Sequence, residues 1–387
     1  MHRSIVHMDL DSFFVSVERL KDVSLIGKPL IIGGLGDRSV VSSCSYEARA
    51  FGVRSAMPMS QARRLCPQAI VLGGSMSEYG YYSGLVTAVI ADQSPLYEKA
   101  SIDEFYIDIT GMDKFFGAWK WSNELKSRIV RETGLPISFA LSTSKTVSKI
   151  GTGESKPNGQ RHIEAGKEME FLAPLPIRKI PMLGEKSSQA LQKTGIQFIG
   201  DIQRLESEDM ERILGNMGLH IWNKARGICD SPVQPFHEQK SISTEQTFEK
   251  DITDLRFIRD LIAGMAEKLA YSIRKKNKLT KCVTIKIRYS DFETQSIQQH
   301  LPATSTDHEI IQLAHVLFEK LYQPGGKIRL IGLRLSDLQS GAYQIRLFDD
   351  KPEMNELYQV MDKLRNKFGK AAIHRANTST TRKKGPE

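Results

Sequence analysis

The stretch KASIDEFYIDI, residues 99–109, sets two acids, Asp103 and Glu104, side by side in a segment otherwise written as a β-strand. In a regular strand consecutive side chains point to opposite faces. Ala100, Ile102, Glu104 and Tyr106 would then share one face, and Ser101, Asp103, Phe105 and Ile107 the other. Each face would carry one carboxylate among apolar neighbours. A buried unpaired charge costs several kcal/mol, a large part of the stability of a whole domain. Adjacent acids converge on one point only where the strand breaks, so the sequence predicts a hairpin tip or bend at Asp103 and Glu104.

Working outward, SIVHMDL (4–10) reads as a short strand that ends on a third acid, Asp9, with a helix following in DSFFVSVERL (11–20) and Asp11 as its expected N-cap. Within that helix Phe13, Val17 and Leu20 fall at i, i+4 and i+7, an apolar stripe for the core. Phe14 is left about 100° round the helix. Three clustered carboxylates suit a hard divalent cation, with Mg²⁺ the default. Two such ions about 3.5–4 Å apart activate an attacking hydroxyl and stabilise a leaving phosphate. Spacing alone leaves the other reading open, one exposed acid and one ion-paired acid per strand face. SYEAR (45–49) places Tyr46 and Arg49 three apart on one side of a helical turn, and SKPNG (155–159) supplies Lys156 at a turn. Hydroxyl, guanidinium and ammonium together make a triphosphate clamp, although each alone also reads as a surface residue.

The chain has 387 residues, 40% apolar and 26% charged, which suits a protein of two to four domains. Its net charge of +9 favours a polyanionic partner. No apolar run is long enough for a membrane span and the start lacks a secretory core, so a cytoplasmic protein with no membrane association is expected. Cys44, Cys66, Cys229 and Cys282 show no CxxC spacing and read as small core residues.

Further strands are expected in KPLIIGG (28–34) and SVVSSCSYE (39–47), joined by a glycine turn, and a helix in MSQARRL (59–65). A helix, a strand pair, a helix and a strand then follow to residue 142. Short helices with glycine punctuation fill 167–228, CDSPVQPFHEQKS (229–241) reads as a linker, and strands and long helices resume to 339. The last forty or so residues are polar and their end is expected to be disordered.

Taken together, VHMDLDSFFVSVE (6–18), SYEARAFGVRSAMP (45–58), ASIDEFYIDIT (100–110) and SKPNG resemble the Y-family translesion DNA polymerases, specifically the DinB or DNA polymerase IV subfamily. The resemblance covers residues 4–340. It implies an α+β multidomain right-hand polymerase: a ferredoxin-like palm (1–20 and 75–165), small fingers (21–74), a helical helix-hairpin-helix thumb (166–232), a linker (233–240), an α/β little finger (241–342) and a tail (343–387). It implies that Asp9, Asp103 and Glu104 are catalytic and, with the Leu10 carbonyl, bind two Mg²⁺. Ser43, Tyr46, Arg49 and Lys156 would bind the nucleotide. Phe14 would be the steric gate against a ribonucleotide 2′-hydroxyl, and Val40 and Ser42 would lie over the nascent base pair.

PMLGEKSSQALQKTGI (181–196) looks like the helix-hairpin-helix, whose turn offers backbone N–H groups to a DNA phosphate at Gly184. Met182 stands where the family usually has glycine. In KCVTIKIRYSDF (281–292) one face carries Val283, Ile285, Ile287 and Tyr289 and the other Thr284, Lys286 and Arg288. Lys286 and Arg288, with Arg334, are the expected duplex contacts, and RKKNK (274–278) adds charge nearby. Ala140 and Ser144 are further departures, from glycine and asparagine. QIRLF (344–348) resembles the bacterial sliding-clamp pentapeptide, with Gln344, Leu347 and Phe348 as its anchors, ahead of a terminal helix in MNELYQVMDKLRNKF (354–368).

The implied function is low-fidelity translesion synthesis on primed template DNA with dNTPs, by a monomer without a proofreading exonuclease. Two rivals are weighed against it. VHMDLDS also resembles the DxD strand of haloacid-dehalogenase phosphohydrolases, but Phe13 stands where that family wants Thr or Val. A non-catalytic relative that only binds DNA or a clamp is disfavoured by retention of all three acids.

Overall fold

The structure, a computed structural model, describes residues 2–112, 117–236, 238–341, 352–369 and 372–373. It divides into two compact units, Met1–His237 and Glu238–Glu387.

The first unit begins with β1 (Ile5–Leu10), α1 (Phe13–Lys21), β2 (Leu30–Gly33), β3 (Val41–Cys44), α2 (Tyr46–Ala50), α3 (Met59–Leu65) and β4 (Ile70–Leu72). It continues through α4 (Met76–Gln93), β5 (Tyr97–Lys99), β6 (Glu104–Asp108), α5 (Ala118–Thr133), β7 (Ile137–Ser142), α6 (Lys145–Ser155) and β8 (Gln160–His162). The main sheet has the order β5-β6-β1-β7-β8. Its first four strands are antiparallel throughout and form, with the intervening helices, the expected ferredoxin-like arrangement. This also removes the phosphohydrolase reading, which needs the DxD strand in a parallel sheet.

Strand alternation sorts the two faces. Val6, Met8 and Leu10 join Phe105, Ile107, Phe139 and Leu141 in a core covered by α1, α4 and α5. His7 and Asp9 point to the other face. There Thr152 of α6 donates to the His7 carbonyl (2.9 Å). No helical signal marks α6 in the sequence, because its glycines mask it. Its N-cap is Ser144, which accepts from Val147 N (3.4 Å) and donates to the Gly227 carbonyl (3.0 Å), so this departure from asparagine keeps a working cap. The departure at Ala140 is accommodated by Gly151: a Cβ there would lie 2.9 Å from the Ala140 methyl.

Two details of α1 differ from expectation. Asp11 is not the cap; Ser12 holds that position in a left-handed conformation (φ 43°) with no side-chain cap bond. Leu20 is exposed, whereas Val15, about 200° round the helix from Phe13, is fully buried; α1 is covered on more than one side, so its core residues do not form a single stripe. The small sheet β3-β2-β4 includes a three-residue strand, β4, too short to register as a pattern.

Short helices complete the unit: α7 (Glu168–Leu172), α8 (Glu185–Lys193), α9 (Ile199–Gln203), α10 (Ser207–Leu214) and α11 (Gly218–Ala225). Their core includes Leu172, Ile177, Leu191, Ile199, Ile202, Met210 and Ile221.

The second unit contains β9 (Ser241–Ile252), α12 (Leu255–Arg274), β10 (Lys278–Tyr289), β11 (Thr294–Thr304), α13 (Asp307–Leu321), β12 (Ile328–Ser336), β13 (Gln339–Ser340) and α14 (Pro352–Phe368). Its sheet runs β11-β10-β12-β9. Val283, Ile285, Ile287 and Tyr289 pack in the core with α12 and α13 residues, as the alternation predicts. The terminal helix α14 is held by Asp362, which accepts from Arg274 Nε (2.7 Å), and by Tyr358, whose hydroxyl lies 3.1 Å from His308 Nδ1. Arg274 also donates to buried Asp307 (2.6 Å). The first arginine of RKKNK is therefore a structural ion-pair centre rather than added surface charge. Gln344, Leu347 and Phe348 lie outside the described residues, as does the chain end beyond Ile373.

Candidate active site

The bend predicted at Asp103 is a four-residue hairpin tip between β5 and β6. Ser101 organises it: its hydroxyl accepts from Glu104 N (3.1 Å) and donates to Asp103 Oδ1 (2.6 Å). The Asp103 carbonyl in turn accepts from Leu10 N (3.1 Å), tying the tip to the end of β1. Glu104 opens β6 and is the direct cross-strand partner of Asp9. Directly opposed residues project to the same side of a sheet, so these two carboxylates face one another while the bend frees Asp103 to join them.

Three acids placed so close need positive charge, and α6 supplies it. Lys149 Nζ lies 2.6 Å from Glu104 Oε1. Lys156, just past the helix, places its ammonium 2.5 Å from Asp9 Oδ1 and 3.2 Å from the Leu10 carbonyl oxygen. Those are the two oxygens that the resemblance gives to a metal, and a cation already sits between them, so the donor set fits a hard divalent ion. Burial raises the Asp9 carboxyl to about 6 against the pull of Lys156, with Glu104 and Asp103 adding to the rise. Beneath it, buried His7 is held well below its ordinary value by desolvation and by Lys149, Lys156 and Lys145, so it stays neutral.

Asp11 has a different role from its neighbours. It is 2% exposed and accepts from Ser138 Oγ (3.0 Å), Asn158 N (2.8 Å) and Tyr46 OH (3.3 Å). It thereby fastens the turn carrying Lys156 and the helix carrying Tyr46 to the end of β1. Helix α2 starts where it does because Ser45 caps it, accepting from Ala48 N (3.2 Å). Arg49 then stacks over the Tyr46 ring at 4.9 Å, on one side of the turn as predicted.

An open cavity of about 350 Å³ brings together Asp9, Leu10, Phe14, Ser42, Ser43, Arg49, Asp103 and Lys156. Tyr46 and Glu104 stand behind this lining, bonded to Asp11 and Lys149 respectively. Val40 is half exposed and bridges to Pro58. A larger groove, about 600 Å³, lies along α5 by Trp119 and Arg128, but Asp9, Asp103 and Glu104 are not part of its lining.

Phe14 is braced by a residue that sequence reasoning missed. Its ring stacks on Tyr79 of α4 at 4.2 Å and 11°. The Tyr79 hydroxyl donates to Glu18 Oε1 (2.8 Å), which fixes the ring from behind. The only hint was a tyrosine-rich helix, SEYGYYSG (77–84). Lys149 was likewise invisible, since its partner is 45 residues away.

Two surfaces carry the expected DNA contacts. Gly184 occupies the N-cap position of α8 without a side-chain cap, leaving the first N–H groups of that helix open to an anion. Met182, two residues earlier, is 75% exposed and adopts φ +75°. In the second unit, Lys286, Arg288 and Arg334 are on the face of the sheet opposite the core, with Lys286 paired to Glu245 (2.9 Å) and Arg288 bonded to Thr294 (2.8 Å).

Comparison with known proteins agrees in extent. The profile of the impB/mucB/samB family matches residues 8–153, that of the family's C-terminal domain residues 239–347, and the IMS family HHH motif residues 166–196. The chain is 37% identical over 381 residues to a DNA polymerase IV of Dehalococcoides mccartyi strain BAV1, covering 97% of each protein. It is 36% identical over 387 residues to a DNA polymerase IV of Treponema denticola, covering 98% of each. Among solved structures, a Y-family chimera, Dbh-Dpo4(243-245)-Dbh, matches with a TM-score of 0.77 at 24% identity, over 87% of this chain and all of the other. DinB from Sulfolobus solfataricus matches with a TM-score of 0.60 at 24% identity over the same shares.

Proposed function

Since the chain belongs to the impB/mucB/samB family, and within it to the DNA polymerase IV group of Y-family DNA polymerases, we propose that it copies damaged template by two-metal nucleotidyl transfer, with low fidelity and no proofreading. The observation that carries this reading is the convergence of Asp9, Asp103 and the phosphate-binding set Arg49 and Lys156 on one cavity beside Phe14, with Glu104 opposite Asp9.

A family polymerase of this kind is a metal-dependent, DNA-directed DNA polymerase. Asp9, the Leu10 carbonyl, Asp103 and Glu104 would hold two Mg²⁺, which would supply Lewis-acid activation of the primer hydroxyl and charge neutralisation on the leaving pyrophosphate. Ser43, Tyr46, Arg49 and Lys156 orient the triphosphate so that the α-phosphate meets the primer 3′-hydroxyl in line. Phe14, held against Tyr79, fills the space a ribose 2′-hydroxyl needs. Val40 and Ser42 present small side chains to the nascent base pair and so tolerate altered bases.

We assign the palm to 1–20 and 75–165, fingers to 21–74, thumb to 166–232 and little finger to 241–342. Gly184, with the open end of α8, takes a backbone phosphate; Lys286, Arg288 and Arg334 take others. QIRLF tethers a monomeric enzyme to a sliding clamp.

Primer extension on a primed template tests the core of this reading. Purified protein with dNTPs and Mg²⁺ is expected to extend the primer, and EDTA to stop it. Failure to extend any primed template, with Mg²⁺ present and DNA bound, would overturn it.

A further inference from the structure

A second group of metal-ligating side chains lies in the other unit, at one end of its sheet. Cys282 of β10 is the register partner of His300 of β11 on one side and of Ser336 of β12 on the other. Asp337 follows Ser336 in a left-handed conformation, φ +52°, which turns the chain at the end of that row. The Cys282 sulfur, a ring nitrogen of His300 and a carboxylate oxygen of Asp337 all lie within 4.8 Å of one another. His300 Nδ1 is 3.5 Å from Asp337 Oδ2.

The burial is graded. Cys282 is 2% exposed and forms the floor, whereas the His300 and Asp337 side chains are 68% and 56% exposed and form the rim. One thiol, one imidazole and one carboxylate are a mixed soft and hard set. It matches Zn²⁺, which takes sulfur, nitrogen and oxygen at about 2.0–2.3 Å in a tetrahedron. It does not suit Mg²⁺, which takes oxygen. One ligand on the floor and two on an open rim leave the fourth position to solvent.

We propose that Cys282, His300 and Asp337 bind one Zn²⁺ ion, which clips β10, β11 and the turn after β12 together. On binding, the Cys282 S–H bond breaks, its proton passes to solvent, and the sulfur lone pair forms the bond to zinc without any change of oxidation state. The reading is independent of the carboxylate cluster, whose donors are all oxygen.

Cobalt reports this site selectively, because only a thiolate gives a sulfur-to-cobalt charge-transfer band. Full-length protein, reduced and stripped of metal, is titrated with Co²⁺ and then Zn²⁺. One equivalent of Co²⁺ is expected to produce the band and Zn²⁺ to bleach it. Cys282→Ala should abolish the band, and His300→Ala should weaken cobalt binding at least about tenfold. His300 is at the surface, so its loss does not endanger the fold. Zn²⁺ should also raise the unfolding midpoint of the wild type and leave that of His300→Ala unchanged. Absence of the band in the wild type, or its full retention in Cys282→Ala, would overturn the proposal; retention would place cobalt at another thiol such as Cys229.

Discussion

Asp9 and Glu104 face one another across β1 and β6, and each already has its own lysine, Lys156 or Lys149. Removing one acid therefore leaves the others compensated and, on the two-metal proposal, takes away one metal ligand. Asp103→Ala or Glu104→Ala is expected to abolish primer extension while primed-DNA binding stays within a few-fold, since the proposed DNA contacts lie elsewhere. Extension near the wild-type rate by either variant would remove the two-metal assignment. Phe14 gives a second test. Phe14→Val should admit ribonucleotides, and Tyr79→Ala should relax the same discrimination in part, because the ring that holds Phe14 at 4.2 Å is gone. A Tyr79→Ala enzyme that incorporates dNTPs and rejects rNTPs as well as the wild type would mean that Phe14 holds its place unaided. The clustering of the three acids and the place of Phe14 beside them were legible, since a carboxylate pair inside an apolar strand and an aromatic off the core stripe both break a local pattern. Lys149, Tyr79 and the buried acceptor role of Asp11 were not, because each is defined by partners from 35 to 147 residues away in the chain.

Among the elements, β1 and the β5–β6 hairpin were readable from alternation and a turn, and α5 from its apolar period. The helix α6 and the strand β4 were not: glycines at 151 and 153 depress helical propensity, and three residues cannot show an alternation. Tertiary packing decides both. The turn before α8 is the element where sequence and backbone disagree. A left-handed conformation costs a non-glycine residue roughly 1–2 kcal/mol, and Met182 adopts it with its side chain largely exposed, so little packing offsets the strain. Met182→Gly should stabilise the protein by about 0.5–1 kcal/mol once the greater backbone freedom of glycine in the unfolded chain is subtracted. Thermal or urea unfolding measures this, and an unchanged midpoint would show that the turn carries no such strain.

For the molecule as a whole, a net charge of +9 and cationic side chains on an open sheet face favour DNA, and loss of affinity with salt is the expected signature. Binding of that kind releases quickly, so the proposed tether would raise the time spent at the primer end. Leu347→Ala with Phe348→Ala should abolish the processivity gained from a loaded clamp and spare extension without it. Equal stimulation of the double variant and the wild type would sink the assignment. The helix α14 has a consequence for this contact. It is pinned to its unit by Arg274 and His308, while β13, on the near side of the motif, pairs with β10. The described residues on the two sides of QIRLF, Ser340 in β13 and α14 from Pro352, thus belong to elements fastened to the same unit. Any segment held at both ends has fewer chain conformations to freeze on binding than one held at a single end, so less of the contact energy is lost to entropy. Ending the chain after residue 351 keeps every side chain of the motif, yet it is expected to weaken clamp binding several-fold. Titration of the truncated and full chains with clamp reads the difference, and equal affinities would mean that the far anchorage contributes nothing.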